Sequence, residues 1–190
     1  SLVKELAYLR VHPAEITEQH ILPFIPRAKE IDQKEFNTLE ALSKILADTA
    51  TVHSTATYLM DKQEWDFTAI YFDGIDHFGH GFMKYRAPKM PVVDQQSFEI
   101  LKDVVDGGYI FHDMILEKYL SMIDEDTYVI ITSDHGFHSG IQRPQILPKI
   151  NSAPAMEHNP MGMVCFYGPG IKKDDRVNGA TLLDLTPTIL

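Results

Sequence analysis

The chain alternates between stretches with helical apolar spacing and short, unbroken apolar runs that stop at clusters of charge. Over residues 32–50, Phe36, Leu39, Leu42, Ile45 and Leu46 recur at helical spacing, and Asp32 stands where an N-cap is expected. A second helix is expected over residues 51–64. Upstream, "HPAEITEQHILPFIP" places one Pro at the start of a short helix and others after it. From about 95 to 123, Phe98, Leu101, Val105, Ile110, Met114, Ile115 and Tyr119 form one apolar stripe. The pair Gly107-Gly108 predicts a kink or a close helix contact within it. A last helix is expected from about Thr181.

Three apolar runs, at residues 67–72, 128–132 and in "GMVCFYGPG", each end at turn-forming residues and predict buried strands. Strands separated by helices, each apolar throughout, predict an α/β fold with a largely parallel sheet flanked by helices. The 190 residues suit one hydrophobic core. Residues 1–190 are therefore read as a single α/β domain fragment, with residues 1–64 as connecting helices or a partial insert. A larger parent is expected because "ATLLDLTPTIL" closes without a cap or polar tail. Cys165, in its apolar setting, is expected to be a small buried hydrophobe.

Polar residues gather at the strand exits. After the first run come Asp73, Asp76, His77 and His80; after the second, Asp134, His135 and His138; before the third, Glu157 and His158. Ligand sites in open α/β sheets collect at the carboxyl ends of strands, so these clusters can converge. Asp76 and His80 are four apart and share one face of a helical turn. His158 can add a third ligand from a distant loop, and two His with one carboxylate form a recurrent catalytic zinc set. Asp134 and His135 can both reach one metal if Gly136 permits a sharp turn. The bland alternatives are capping and surface placement. Asp73, His77 and His138 are candidates for supporting or substrate-contacting groups. His12, His20, His53 and His112 are expected to be surface or satisfied core residues, and Lys84, Arg86 and Arg143 to lie at the surface.

Charge narrows the function classes. The formal net charge of −10 argues against binding to a nucleic-acid duplex. It also means that an anionic substrate must find positive charge locally, and a metal is the obvious source. One cysteine excludes an internal disulfide framework. No apolar run is long enough to span a membrane, and no signal-peptide pattern opens the chain. The compartment is left open, with an extracytoplasmic or periplasmic setting of the parent protein as one expectation; oligomeric state is not legible.

"SDHGF" at 133–137, "YFDGIDHFGHGFMKY" at 71–85, "EHNPMGMVCFYGPGIK" at 157–172 and "LLDLTPTIL" at 182–190 together resemble the alkaline phosphatase superfamily. The nearest branch is the type I phosphodiesterase/nucleotide pyrophosphatase group. The resemblance covers about residues 65–190. It implies two divalent metal ions, zinc or else manganese, with Asp76, His80 and His158 holding one and Asp134 and His135 holding the other. It implies a two-metal in-line displacement on a small-molecule phosphate ester, through a covalent phospho-enzyme. No catalytic nucleophile is identifiable: "HSTAT" at 53–57 does not match in position or context, and the nucleophile is expected before Ser1. The implied class is a phosphodiesterase or nucleotide pyrophosphatase, with low activity expected of this fragment alone. Alternatives are a sulfatase, phosphomonoesterase or phosphomutase of the same superfamily, or a non-catalytic metal-binding fragment.

Overall fold

The computed structural model describes residues 1–32 and 37–190. Helix α1 (Leu2–Ala7) and helix α2 (Glu18–Ile21) lead into the long helix α3 (Thr38–Lys62). Helix α4 (Gly74–Phe82) follows, then α5 (Gln95–Leu101) and α6 (Val104–Leu120). Strand β1 (Val129–Thr132) and the short strands β2 (Gly136–Phe137), β3 (His158–Asn159) and β4 (Val164–Tyr167) come next, and α7 (Leu185–Ile189) closes the order.

The two helices expected between residues 32 and 64 are one continuous helix. Its N-cap position is Asn37, not Asp32, and Phe36 lies outside the described residues. The long helical region after residue 95 breaks at Lys102-Asp103 rather than at the glycine pair. Asp94 caps α5 by accepting the Ser97 N–H at 2.8 Å. Gly107 and Gly108 lie inside α6 and serve close packing: a Cβ on Gly108 would sit 2.7 Å from the Phe78 ring, and one on Gly107 3.0 Å from Phe24.

The core lies among the helices. α4 packs against both α3 and α6, and its Phe78 and Phe82 are each 1% exposed. Burial of each such ring contributes about 1.5–3 kcal/mol. Phe24 stacks on Phe78 at 5.6 Å and meets Phe111 edge-on at 6.0 Å. These contacts offset the poor helix propensity of α4, which carries Gly74, Gly79 and Gly81 in nine residues.

The sheet differs from expectation. β1 pairs with β4 and β2 with β3, and both ladders among the described residues are antiparallel. The physical reason is the connection. The chain leaves β1 through residues 133–163 with short turns and no α-helical crossover, so β4 returns alongside in the opposite sense. The mixed α/β character stands, whereas the expected parallel sheet is not seen. Residues 67–72 join no ladder; Phe67 and Tyr71 are 66% and 80% exposed beside an open apolar groove of about 570 Å³ shared with α3. Cys165, expected inside, is exposed on β4. No helix among the described residues is long and apolar enough to cross a membrane.

Arg143, expected at the surface, is 5% exposed. Its guanidinium donates to the carbonyls of Gly140, Met83, Lys84, Arg86 and Pro88, which fastens the loop after β2 to the end of α4. Burial holds its pKa below the usual guanidinium value.

Gly108→Ala is expected to destabilise the chain by about 1–3 kcal/mol, because Phe78 has no room to retreat. Gly81→Ala, whose Cβ meets nothing within 4 Å, is expected to be neutral or to stabilise by about 0.5–1 kcal/mol. Urea titration of both variants checks the contrast.

Candidate metal centre

α4 displays two faces. Phe78 lies about 200° around the helix from Asp76, so the face opposite the buried rings carries Asp76 and, one turn on, His80. Asp76 sits in the first turn, where a carboxylate favours the helix dipole, and His80 in the last.

The other two histidines arrive on the β2–β3 ladder, in which Phe137 pairs with His158 and Gly136 with Asn159. His135 directly precedes this ladder. Gly136 has no positive φ, so its role is not the sharp turn expected from the sequence. A Cβ there would lie 2.8 Å from the Met161 carbonyl oxygen, and one on Gly162 would lie 2.2 Å from that of Ser133. The glycines let two backbone segments touch. Ser133 seals the junction: its N–H donates to the Met163 carbonyl and its Oγ accepts from the Met163 N–H, both at 2.9 Å.

Asp76 Oδ1 lies 3.4 Å from His80 Nε2, 3.6 Å from His135 Nε2 and 3.5 Å from His158 Nε2. His80 Nε2 and His158 Nε2 are 2.9 Å apart, and the His135 and His158 rings stack at 3.7 Å. Asp76 Oδ1 is buried and has no hydrogen-bond partner. Tautomers explain why. His135 Nδ1 lies 3.1 Å from the Gly136 carbonyl oxygen and must be its donor, which leaves a lone pair on Nε2. The cluster thus gathers imidazole nitrogens around an unpartnered carboxylate oxygen, a donor set that suits a cation. Asp76, His135 and His158 form a candidate metal-binding group whose ligand atoms fall within 4.8 Å of one another. A tetrahedral ion with bonds of about 2.0–2.1 Å has ligand–ligand edges of about 3.3–3.4 Å, close to the three Asp76 separations. Burial, then the neighbouring His135 and His80, push the His158 pKa down, so its ring is neutral and able to coordinate at neutral pH.

His135, paired in expectation with Asp134, lies near that carboxylate and also within reach of Asp76 and His158. The Asp134 carboxylate is 74% exposed, accepts the His135 N–H at 3.1 Å and lies 3.8 Å from His135 Nε2. Asp73 and His77 face each other at 3.9 Å on the first turns of α4 and do not join the cluster. His138 donates its backbone N–H to the Glu157 carbonyl at 2.8 Å, while its Nδ1 is buried without a partner beside a crevice with room for about one water. Of the histidines expected to be structural, His12 and His20 close local turns, His53 meets Tyr119, and His112 holds the Gly108 carbonyl.

Two residues at the cluster had been assigned no role from the sequence. Phe137 touches all three imidazoles, with ring centroids 5.1 Å from His80 and His158 and 5.8 Å from His135. Glu157 Oε2 lies 2.8 Å from His80 Nδ1. The adjacency of Glu157 to His158 was the one available signal for the second.

A family model described as "Type I phosphodiesterase / nucleotide pyrophosphatase" matches residues 10–178. GPI ethanolamine phosphate transferase 3 of Eremothecium gossypii is 32% identical over 81 residues, 42% of this chain and 6% of that protein. GPI ethanolamine phosphate transferase 2 of Yarrowia lipolytica is 29% identical over 82 residues, 43% of this chain and 8% of that protein. The chain therefore matches less than a tenth of the length of either relative. No solved structure matches it.

A Cβ on Gly79 would lie 2.6 Å from the Phe137 ring. Gly79→Ala is expected to displace Phe137, loosen the three imidazoles and weaken Zn²⁺ binding by about tenfold or more, the scale of losing a supporting contact. A chelator-competition titration measures it.

Proposed function

Because the chain belongs to the type I phosphodiesterase/nucleotide pyrophosphatase family, we propose that it contributes metal-binding residues to a phosphate-ester hydrolase centre. Asp76, His80, His135 and His158 hold one divalent cation in this reading. The observation that carries it is the buried, unpartnered Asp76 Oδ1 facing imidazole nitrogens. Three nitrogens and one oxygen favour zinc over oxygen-seeking ions such as manganese. Held by these residues, a divalent ion would supply Lewis acidity toward a phosphoryl oxygen.

The chain's own groups divide the remaining work. The exposed Asp134 carboxylate stands beside His135, where it can share a second cation once further donors are supplied. Asp134 and His135 alone make too small a set for tight binding. His138 braces the Glu157 segment through its backbone and is too buried at Nδ1 to meet substrate directly. A hydroxyl nucleophile is not evident at the cluster. Ser133 Oγ is engaged by the Met163 N–H, and "HSTAT" lies in mid-α3. The substrate in this reading is a small-molecule phosphate ester. A second reading, transfer to an alcohol instead of water, draws on the names of the two relatives, both transferases.

Zinc titration tests the proposal. One equivalent of Zn²⁺ is expected to bind at pH 7. Asp76→Asn and His158→Ala are expected to weaken binding by more than the about 10–100-fold that an outer-shell partner carries. Affinity falls as the pH drops from 7 towards 5, because the imidazoles must be neutral to coordinate. No binding of Zn²⁺ or Mn²⁺ at millimolar concentration would contradict the proposal. Incubation of a chromogenic phosphodiester with added alcohol separates the two reactions: free phosphomonoester marks hydrolysis, and a new alkyl phosphodiester marks transfer.

A further inference from the structure

We propose that Glu157 is a positioning residue for this centre: it fixes the proton of His80 on Nδ1, turns the Nε2 lone pair toward Asp76 and so sets the cation affinity. The inference rests on the reading of the cluster as a cation site.

Four observations carry it. Glu157 Oε2 is 2.8 Å from His80 Nδ1, and an ionised carboxylate only accepts, so the nitrogen must carry the proton. The Glu157 side chain is 16% exposed, against 32% for Asp76 and 74% for Asp134, so it is the most enclosed of the three carboxylates. A carboxylate this enclosed needs a donor, and among the described ion pairs its partner is His80. The Glu157 backbone is itself held, since its carbonyl accepts the His138 N–H at 2.8 Å and extends the β2–β3 pairing by one bond. Finally, Glu157 and His158 are neighbours in sequence and meet opposite nitrogens of one ring: Glu157 is at His80 Nδ1, and His158 Nε2 is 2.9 Å from His80 Nε2.

The consequence is mechanical as well as electronic. A ligating imidazole whose second nitrogen donates to a carboxylate is more basic and less free to rotate. Glu157 ties the last turn of α4 to the start of β3, so the elements that carry Asp76 and His158 are held in one register. Arg143 separately fastens the loop after β2 to the segment that follows α4.

The test is Zn²⁺ affinity by chelator competition for wild type, Glu157→Gln, Glu157→Ala, His80→Ala and the double variant His80→Ala/Glu157→Ala. Glu157→Ala is expected to lose about 10–100-fold. Glu157→Gln, nearly isosteric and still offering an amide oxygen to Nδ1–H, is expected to lose less. If Glu157 acts through His80, adding Glu157→Ala to His80→Ala costs nothing further. A merely structural role would cost the same in both backgrounds and would overturn the proposal. So would Glu157→Ala affinity within about twofold of wild type, well short of the expected loss. Long-range ¹⁵N–¹H spectra of the zinc-free wild type provide a second readout: His80 is expected as the Nδ1–H tautomer, and an Nε2–H tautomer contradicts the inference. Wild type that fails to bind zinc overturns the cation reading itself. Wild type that binds while Glu157→Ala binds equally well overturns only the role of Glu157.

Discussion

A buried carboxylate oxygen must be paired. Asp76 Oδ1 is enclosed, has no hydrogen-bond partner and faces imidazole nitrogens on three sides. Left alone, such an atom costs several kcal/mol, and the fixed Nδ1 protons of His80 and His135 leave little to offset it. A divalent cation resolves the conflict in one step. Much of the surrounding structure is arranged to keep the conflict in place: the glycine-rich helix that presents Asp76 and His80, the Phe137 ring wedged among the imidazoles, and the short ladder that delivers His135 and His158.

The chain carries a formal net charge of −10. Two arginines near the site are committed elsewhere. Arg143 is enclosed among backbone carbonyls, and Arg86 pairs with Asp106 at 2.8 Å. A cation held at the cluster would supply positive potential there.

Local chemistry was well written in the sequence, and long-range pairing was not. The four-residue spacing of Asp76 and His80 reports a helix face directly, and the late His158 comes within 3.5 Å of Asp76. Which groups His135 would meet depended on the β2–β3 register, set by backbone approach at Gly136 and Gly162 rather than by any periodicity. Strand direction failed for a related reason. An apolar run such as 128–132 announces a strand but not the sense of its partner, and residues 67–72 show that such a run need not join a ladder. Arg143 and Cys165 broke their usual burial tendencies because one met five carbonyls and the other sits on an open strand face.

X-ray absorption at the zinc edge of the loaded protein tests the account most directly. It predicts a four-coordinate ion with nitrogen and oxygen neighbours at about 2.0–2.1 Å and the multiple-scattering pattern of three imidazoles. A six-coordinate, oxygen-only shell with no imidazole scattering would contradict it.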